Sequence, residues 1–391
     1  MRKLKILIIC DSVTHQVAGA FISPLRFAEL LKKRGHKVIF VAAKYPNTPE
    51  VDNHKGIKVY RFRSFPLPKF PFIRLAFPTE KEIEKIIEKE KIDMVHIMTP
   101  VSASFSSIKA AKKLNIKFIS HSHVQPENII LNFPSFMRTT LNSMIYNFLI
   151  WLYGKTEITI CPSKFAERAL HKYGPTLKTA VISNGVDLFR FKKLNSDYFI
   201  KKFSLPKNSS LILYVGRLDP EKNISTLIKS MQDILKKDKN VILGIVGRGS
   251  LSDSLEKLSG DLNLDKNIKF FGKISDADLV QAYNACDIFV LPSLAELEGM
   301  VVLEAMACGK PILIANSKES ASVDFVDGNG FLFKSGNPKD LAEKALKLLK
   351  DNSLREEMGK KSFELAKEYD INKSIDKLEK LYYSILSRKK R

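Results

Sequence analysis

At 391 residues, 45% of them hydrophobic, the chain is long enough for two domains with separate cores. Its four cysteines, Cys10, Cys161, Cys286 and Cys308, include no Cys-x-x-Cys pair, which argues against a zinc site or disulfide framework and suits a reducing cytoplasm. The net charge of +22 is uneven, with +18 on residues 1–195 and +4 on residues 196–391; the first half therefore suits an anionic partner (a membrane surface, a nucleic acid or an acidic substrate) unless the charge serves solubility alone.

The opening MRKLKILIIC has an apolar run too short for a signal peptide, and Leu4–Cys10 reads as a buried parallel strand. A helix over Phe21–Arg34 ends at Gly35. Strands follow at Lys37–Ala42 and Ile57–Phe62, a charged helix at Glu80–Lys91, a strand at Met94–Met98, a helix at Ser102–Leu114 and a strand at Lys117–Ser120. Short strands at Ile158–Cys161 and Thr179–Ile182 flank a helix at Lys164–Tyr173. In the second half the strands are Leu211–Val215, Val241–Val246, Ile268–Phe270, Ile288–Leu291 and Pro311–Ile314, with helices between them. Helices at Lys339–Lys350, Ser353–Glu368 and Ser374–Ser387 come last. No stretch of about 18 apolar residues occurs, so no membrane span is predicted.

This alternation predicts an α/β protein with a doubly wound parallel sheet in each half. The expected organisation is an N-terminal domain over 1–190, a linker over 191–210, a second domain over 211–372, and a C-terminal helix with a basic tail over 373–391 that returns toward the N-terminal domain. Ligands of such sheets bind beyond the carboxyl ends of the strands, which places the expected site between the domains.

Five stretches carry candidate chemistry. In QVAGAF, Gln16–Phe21, Gly19 lets the loop after the first strand pass close to a ligand, or serves an ordinary turn; no G-x-G-x-x-G fingerprint is present. In SHSHVQPEN, Ser120–Asn128, His123 can reach a ligand, His121 points into the sheet, and Glu127 suits a helix start. Two histidines without further ligands predict no metal site. In LYVGRLDPEKN, Leu213–Asn223, a strand ends at Gly216. Arg217 and Lys222 then form either a diphosphate clamp aided by helix N-terminal amides, or an exposed loop held by salt bridges. In VGRGS, Val246–Ser250, Gly247 and Gly249 can border a nucleotide. In AELEGMVVLEAMACGKP, Ala295–Pro311, Glu296 reaches sugar hydroxyls, Gly299 allows close approach, and the amides of Met300 and Val301 face phosphates. Glu304 either accepts two ribose hydroxyls or favours the helix dipole. Glu298 is expected to face water.

Taken together these residues resemble family 4 of the GT-B fold glycosyltransferases, the retaining sugar-nucleotide enzymes, over nearly the whole chain. The resemblance rests on Gly19, His123, Asn184–Asp187 (NGVD), Gly216-Arg217 with Lys222, Gly247, Gly249, Pro292–Ser293, and Glu296-x7-Glu304 followed by AMACGKP. It implies two Rossmann-like domains facing across a cleft. It also implies donor contacts from Arg217, Lys222, Glu296 and Glu304, a sugar-facing His123, and no metal or other cofactor, the Arg/Lys pair neutralising the leaving diphosphate. Two positions depart from the common pattern. Glu296-Leu-Glu298-Gly299 stands where many members have Glu-Gly-Phe-Gly, a form similar to that of diacylglycerol glucosyltransferases, and Arg248 stands where an acid is frequent.

The basic half is expected to hold the acceptor. Ser64–Ile83 mixes Phe and Pro with Lys69 and Arg74. Phe133–Lys155 carries Met137, Leu141, Met144, Ile145, Phe148, Leu149 and Leu152 on one helical face, with Trp151 near its end and Arg138 and Lys155 bracketing it. This is either an interfacial helix or a core helix. The resulting expectation is a cytoplasmic, peripheral membrane enzyme that moves a hexose from a UDP-sugar to a lipid acceptor such as diacylglycerol at an anionic membrane surface. The alternatives are transfer to a polyprenol-linked or soluble glycan, and a non-enzymatic nucleic-acid binder; no aromatic-basic RNA signature supports the last, so no nucleic acid is expected.

Overall fold

The computed structural model describes residues 2–11, 13, 22–67, 70–131, 133–195 and 197–387, less the side chains at 67 and 70–73. The chain forms two compact units. The first comprises Met1–Val124, Thr140–Ser183 and Ser374–Arg391, the second Gln125–Thr139 and Asn184–Lys373.

The strands of the first unit are β1 (Lys5–Ile9), β2 (Lys37–Ala43), β3 (Val51–His54), β4 (Ile57–Phe62), β5 (Ser64–Leu67), β6 (Phe70–Ala76), β7 (Met94–Ile97), β8 (Lys117–His121), β9 (Thr159–Cys161) and β10 (Thr179–Val181). Eight of them form one sheet in the order β10-β9-β8-β7-β1-β2-β4-β3, parallel except for β3 against β4. Ile6 to Ile9 of β1 are fully buried, as a central parallel strand covered on both faces requires. The charged helix begins where its cap dictates. Thr79 and Glu82 form a capping box ahead of Glu80–Glu90, and Lys91 closes the helix in the left-handed region.

Two strand pairings went unread in the sequence. β3 is the short polar edge segment VDNH, and β5 and β6 form an antiparallel hairpin through the Phe- and Pro-rich stretch. Arg74 of β6 donates from Nε to Ser64 Oγ and from Nη2 to Ser64 O, both at 2.8 Å, so this cation fastens the hairpin.

The helix Ile371–Ser387 belongs to the first unit from Ser374 onward. Ile375, Leu378, Tyr382 and Ile385 are buried, at the three- and four-residue spacing of one helix face. Tyr382 Oη lies 2.7 Å from His96 Nδ1. Glu379 meets His36 Nε2 at 2.6 Å and also pairs with Arg34.

The second unit holds β11 (Ser210–Val215), β12 (Val241–Val246), β13 (Ile268–Gly272), β14 (Ile288–Leu291), β15 (Ala295–Glu296), β16 (Ile312–Asn316), β17 (Glu319–Ser320) and β18 (Gly330–Lys334). Its parallel sheet runs β13-β12-β11-β14-β16-β18, with β15 and β17 paired separately. The last three residues of Asp327–Leu332 (DGNGFL) open edge strand β18. The stretch 191–210, expected to join the halves, places Phe191, Phe199 and Leu205 in the core of this unit.

Candidate functional site

The carboxyl ends of β11, β12 and β14 in the second unit gather most of the residues singled out in the sequence. β11 is apolar and buried as far as Val215, and the chain then turns out through Gly216. The loops after β11 and β12 lie backbone against backbone. Gly216 N–H donates to Val246 O at 3.0 Å, and Leu218 N–H to Arg248 O at 3.1 Å. A Cβ at Gly247 would stand 1.8 Å from the Gly216 carbonyl oxygen, and Gly247 has φ +135°. The glycines of the two motifs thus let two strand ends meet, which leaves the side chains of the β11 loop to form the site.

Arg217 is held as a fork, one Nη bonded to Asp219 and the other to Glu221. Asp219 is itself positioned by Ser250, whose N–H and Oγ donate to it at 2.8 and 2.9 Å. Glu221 is almost completely buried, and burial raises its pKa against the opposing pull of Arg217. The salt-bridged alternative therefore describes Arg217 in part. Its side chain is nevertheless 39% exposed, and a guanidinium carries five N–H donors, so it can take a phosphate oxygen as well.

Lys222 ends a 3₁₀ turn, Pro220–Lys222, ahead of the helix Ile224–Lys237. Its Nζ lies 2.7 Å from Glu296 Oε1, with both side chains nearly buried. A backbone bond from Leu294 N–H to Glu221 O at 2.7 Å brings these two loops, more than 70 residues apart in sequence, side by side.

The loop from Glu296 to Gly299 is fixed by contacts that sequence reading missed. Glu298, expected to face water, is 3% exposed. Its carboxylate accepts from Asn184 N–H at 3.1 Å and from Asn184 Nδ2 at 2.6 Å. Burying a carboxylate is costly unless it is bonded in this way, so Asn184 of NGVD is its anchor. The only available signal was the presence of a polar Asn in a motif already set apart. Gly299 has φ +92°, and a Cβ there would lie 2.1 Å from Ser322 Oγ, which donates to Glu298 O at 3.1 Å. Only glycine fits.

Gly299 is the N-cap of the helix Met300–Ala307. Met300 and Val301 therefore occupy its first turn. Glu304 is the fifth residue, beyond the first turn, so the helix-dipole alternative fails for it. It is buried and accepts from Tyr283 Oη at 3.0 Å. Burial, then the Glu304 charge, pushes the Tyr283 phenol well up, keeping it a proton donor. Lys310 of CGKP serves the fold, donating to the carbonyls of Asn284 and Cys286 at 2.7 and 2.8 Å.

The ends of these strands thus gather Arg217, Lys222, Glu296 and the start of this helix, with Glu304 buried one turn along it. Cations and amides suit phosphate oxygens, and carboxylates suit hydroxyls.

His123 lies in the first unit. Its ring stacks on His121 at 4.1 Å, and His121 stacks on His96 at 5.7 Å. Burial holds His96 down to about 3 and His123 to about 4, so both rings are uncharged at neutral pH. Gly19 and Lys69 lie outside the described residues.

The helix Ser135–Tyr153 does not present the single apolar face expected. Tyr146, Leu149, Leu152 and Tyr153 are buried, whereas Met144, Phe148 and Trp151 of the first unit are exposed. It is apolar on both sides. Near its start, in the second unit, Met137 is 38% exposed, and Arg138 donates from Nε to Phe133 O at 2.9 Å. Among the described residues no helix is long and apolar enough to cross a membrane.

Residues 17–190 match the family model described as Glycosyltransferase Family 4, and residues 195–365 match that described as Glycosyl transferases group 1. The sulfoquinovosyl transferase SQD2 of Arabidopsis thaliana is 28% identical over 365 residues, 92% of this chain and 69% of that protein. The alpha-monoglucosyldiacylglycerol synthase of Streptococcus pneumoniae is 25% identical, over 79% of this chain and 70% of its own length. Among solved structures, the sucrose-phosphate synthase of Thermosynechococcus elongatus superposes with a TM-score of 0.82 at 21% identity, covering 98% of this chain and 100% of that one. Anabaena HepE, solved with UDP and glucose, gives 0.77 at 21% identity, covering 97% and 100%.

Proposed function

This chain belongs to the family 4 glycosyltransferases of GT-B fold, and from that premise we propose that it transfers a hexose from a UDP-sugar to a lipid acceptor, with retention, at the anionic face of a membrane. The observation that carries the donor half is the Lys222–Glu296 pair at 2.7 Å, beside the helix that begins at Gly299 and bears Glu304. In this reading Arg217, Lys222 and the first-turn amides meet the diphosphate, Glu304 holds the ribose hydroxyls, and Glu296 holds the sugar. His123, uncharged at neutral pH, is the partner proposed for a sugar hydroxyl.

The bond from the anomeric carbon to the diphosphate oxygen breaks, and a bond to the acceptor oxygen forms on the same face. The acceptor proton passes to the departing diphosphate. Charge developing on that leaving group is met by groups already in place, the most effective form of electrostatic stabilisation. Arg217 and Lys222 then stand where other transferases use a metal ion.

Support for a lipid acceptor comes from the relative whose name, alpha-monoglucosyldiacylglycerol synthase, denotes a glycolipid product. Further support comes from the exposed Met144, Phe148 and Trp151 with Lys155 Nζ 4.2 Å from the Trp151 ring centre, since aromatic rings and basic groups together favour the bilayer interface. The test is UDP release from UDP-glucose with mixed lipid acceptors, with the products analysed across several donors. Wild type should turn over and Glu304→Ala should not; equal turnover in both overturns the donor site, and a product formed only on a soluble glycan overturns the lipid acceptor.

A further inference from the structure

The first unit carries an open groove of about 610 Å³, bordered by Phe148. One wall is the helix Ser102–Lys113. Its residues Ser102, Phe105, Ser106 and Lys109 line the groove, at the i, i+3, i+4, i+7 spacing of one helix face. The other side of that helix, Ala103, Ser107, Ala110 and Ala111, is in the core. Leu75 and Phe77 at the end of the β5–β6 hairpin form the second wall, and Phe148 the third. The volume and the mainly apolar, aromatic lining with a few polar groups are those of sites for small organic ligands.

The groove does not stop at its own rim. Phe105 contacts Phe148 and Trp151 at centroid distances of 6.1 and 6.0 Å, and all three rings are partly exposed. Lys155 sits over Trp151, and Lys109 lines the groove. An indole covered by a lysine stem, on the half of the chain that carries +18, is complementary to an anionic lipid surface. Phe105 and Phe148 belong both to this ring cluster and to the groove lining, which also includes Glu80.

We propose that this groove takes one acyl chain of the lipid acceptor, drawn partly out of the bilayer; the proposal rests on the lipid-acceptor reading above. An alkyl chain needs only displaced water and close contact, which Leu75, Phe77, Phe105 and Phe148 provide. The site would thus select acceptors by their aliphatic portion as well as by the hydroxyl that reacts.

Trp151 is the chain's single tryptophan and adjoins the groove wall, so its emission reports occupancy directly. The probe is a diacylglycerol with short brominated acyl chains, used below its aggregation threshold, and separately anionic vesicles containing brominated phospholipid. The variants are Ser106→Phe and Leu75→Phe, which fill the groove from opposite walls, and Ser106→Ala as a control, each checked for an unchanged melting curve. Saturable quenching by the monomeric probe, unchanged in Ser106→Ala and on the order of tenfold weaker in whichever filled variant folds, is expected. Quenching by vesicles alone, or monomer quenching equal in the filled variants, overturns the groove while leaving membrane contact standing. No quenching by either probe overturns both.

Discussion

The contact between Glu298 and Asn184 offers a sharp test of how the loop bearing Glu296 is held. The Glu298 carboxylate is 3% exposed and is met by two donor groups of one residue, the N–H at 3.1 Å and Nδ2 at 2.6 Å. Hydrogen bonds to a charged group contribute roughly 1.5–3 kcal/mol each. Asn184→Ala keeps the backbone donor and removes the shorter bond to a buried carboxylate, so it should cost about 1.5–3 kcal/mol. Glu298→Ala removes the charge and leaves two donors without this acceptor, about 2–4 kcal/mol. In the double variant the carboxylate and the amide vanish together, so the combined loss should fall short of the sum by about 2 kcal/mol. For a unit of this size each kcal/mol moves the melting point by roughly 2–4 °C. The assay is thermal and urea unfolding by far-UV circular dichroism, because Trp151 lies in the first unit and does not report on this one. Single losses under about 0.5 kcal/mol, or additive losses within that margin, would show that this contact does not hold the loop.

Three further outcomes are expected. Lys222→Ala should lower turnover on the order of 10²–10³-fold with the donor KM changed far less, read by UDP release; a change in KM alone would contradict a charge role in the departing group. Gly299→Ala should destabilise by about 1–2 kcal/mol or more, from its positive φ and from contact with Ser322 Oγ; adding Ser322→Ala should recover only part, as measured by urea midpoints. Acid should weaken the first unit. His96 and His121 are buried and their folded pKa values are depressed, His96 to about 3, so their contribution is complete above the unfolded value near 6.5 and is lost as pH falls below it. Asp11, raised to about 6 by burial, opposes this, because its contribution is complete below 3.8 and is lost as pH rises toward 6. With His123 of the same unit also lowered, to about 4, three histidines against one aspartate predict a urea midpoint, followed by Trp151 emission, that drops between pH 7 and 4.5. It should drop less in His121→Phe, which removes a ring whose two nitrogens have no hydrogen-bond partner among the described residues; a flat or rising midpoint contradicts the assignment.

Much of the fold was legible because continuous apolar runs mark buried parallel strands, as in Lys5–Ile9, Val241–Val246 and Ile288–Leu291. Elements lacking that signal escaped. Val51–His54 is polar because it is an edge strand, and Ser64–Ala76 contains prolines that a two-stranded hairpin tolerates better than a central strand. At the candidate site, Arg217, Lys222, Glu296 and Glu304 were singled out from local chemistry beside predicted strand ends. Their partners were not. The Lys222–Glu296 pair joins loops brought together by a backbone bond from Leu294 to Glu221, and Glu298 was assigned to water because Asn184, 114 positions earlier, leaves no mark in its neighbourhood. The helix at Ser135–Tyr153 was read as having one apolar face because both sides of it are apolar, a pattern in which periodicity cannot choose a direction.

The return of Ser374–Ser387 to the first unit bears on how the chain is made. Domains commonly fold in order of synthesis, but here the first unit stays incomplete until the last helix has been translated. Until then the surface around His96 and His36 has neither Tyr382 nor Glu379 to cover it. The second unit is synthesised in full during that interval. A fragment ending near residue 190 would present the same uncovered surface permanently and should aggregate, whereas supplying residues 371–391 as a separate peptide should rescue it. The two halves of this protein cannot be obtained by a single cut.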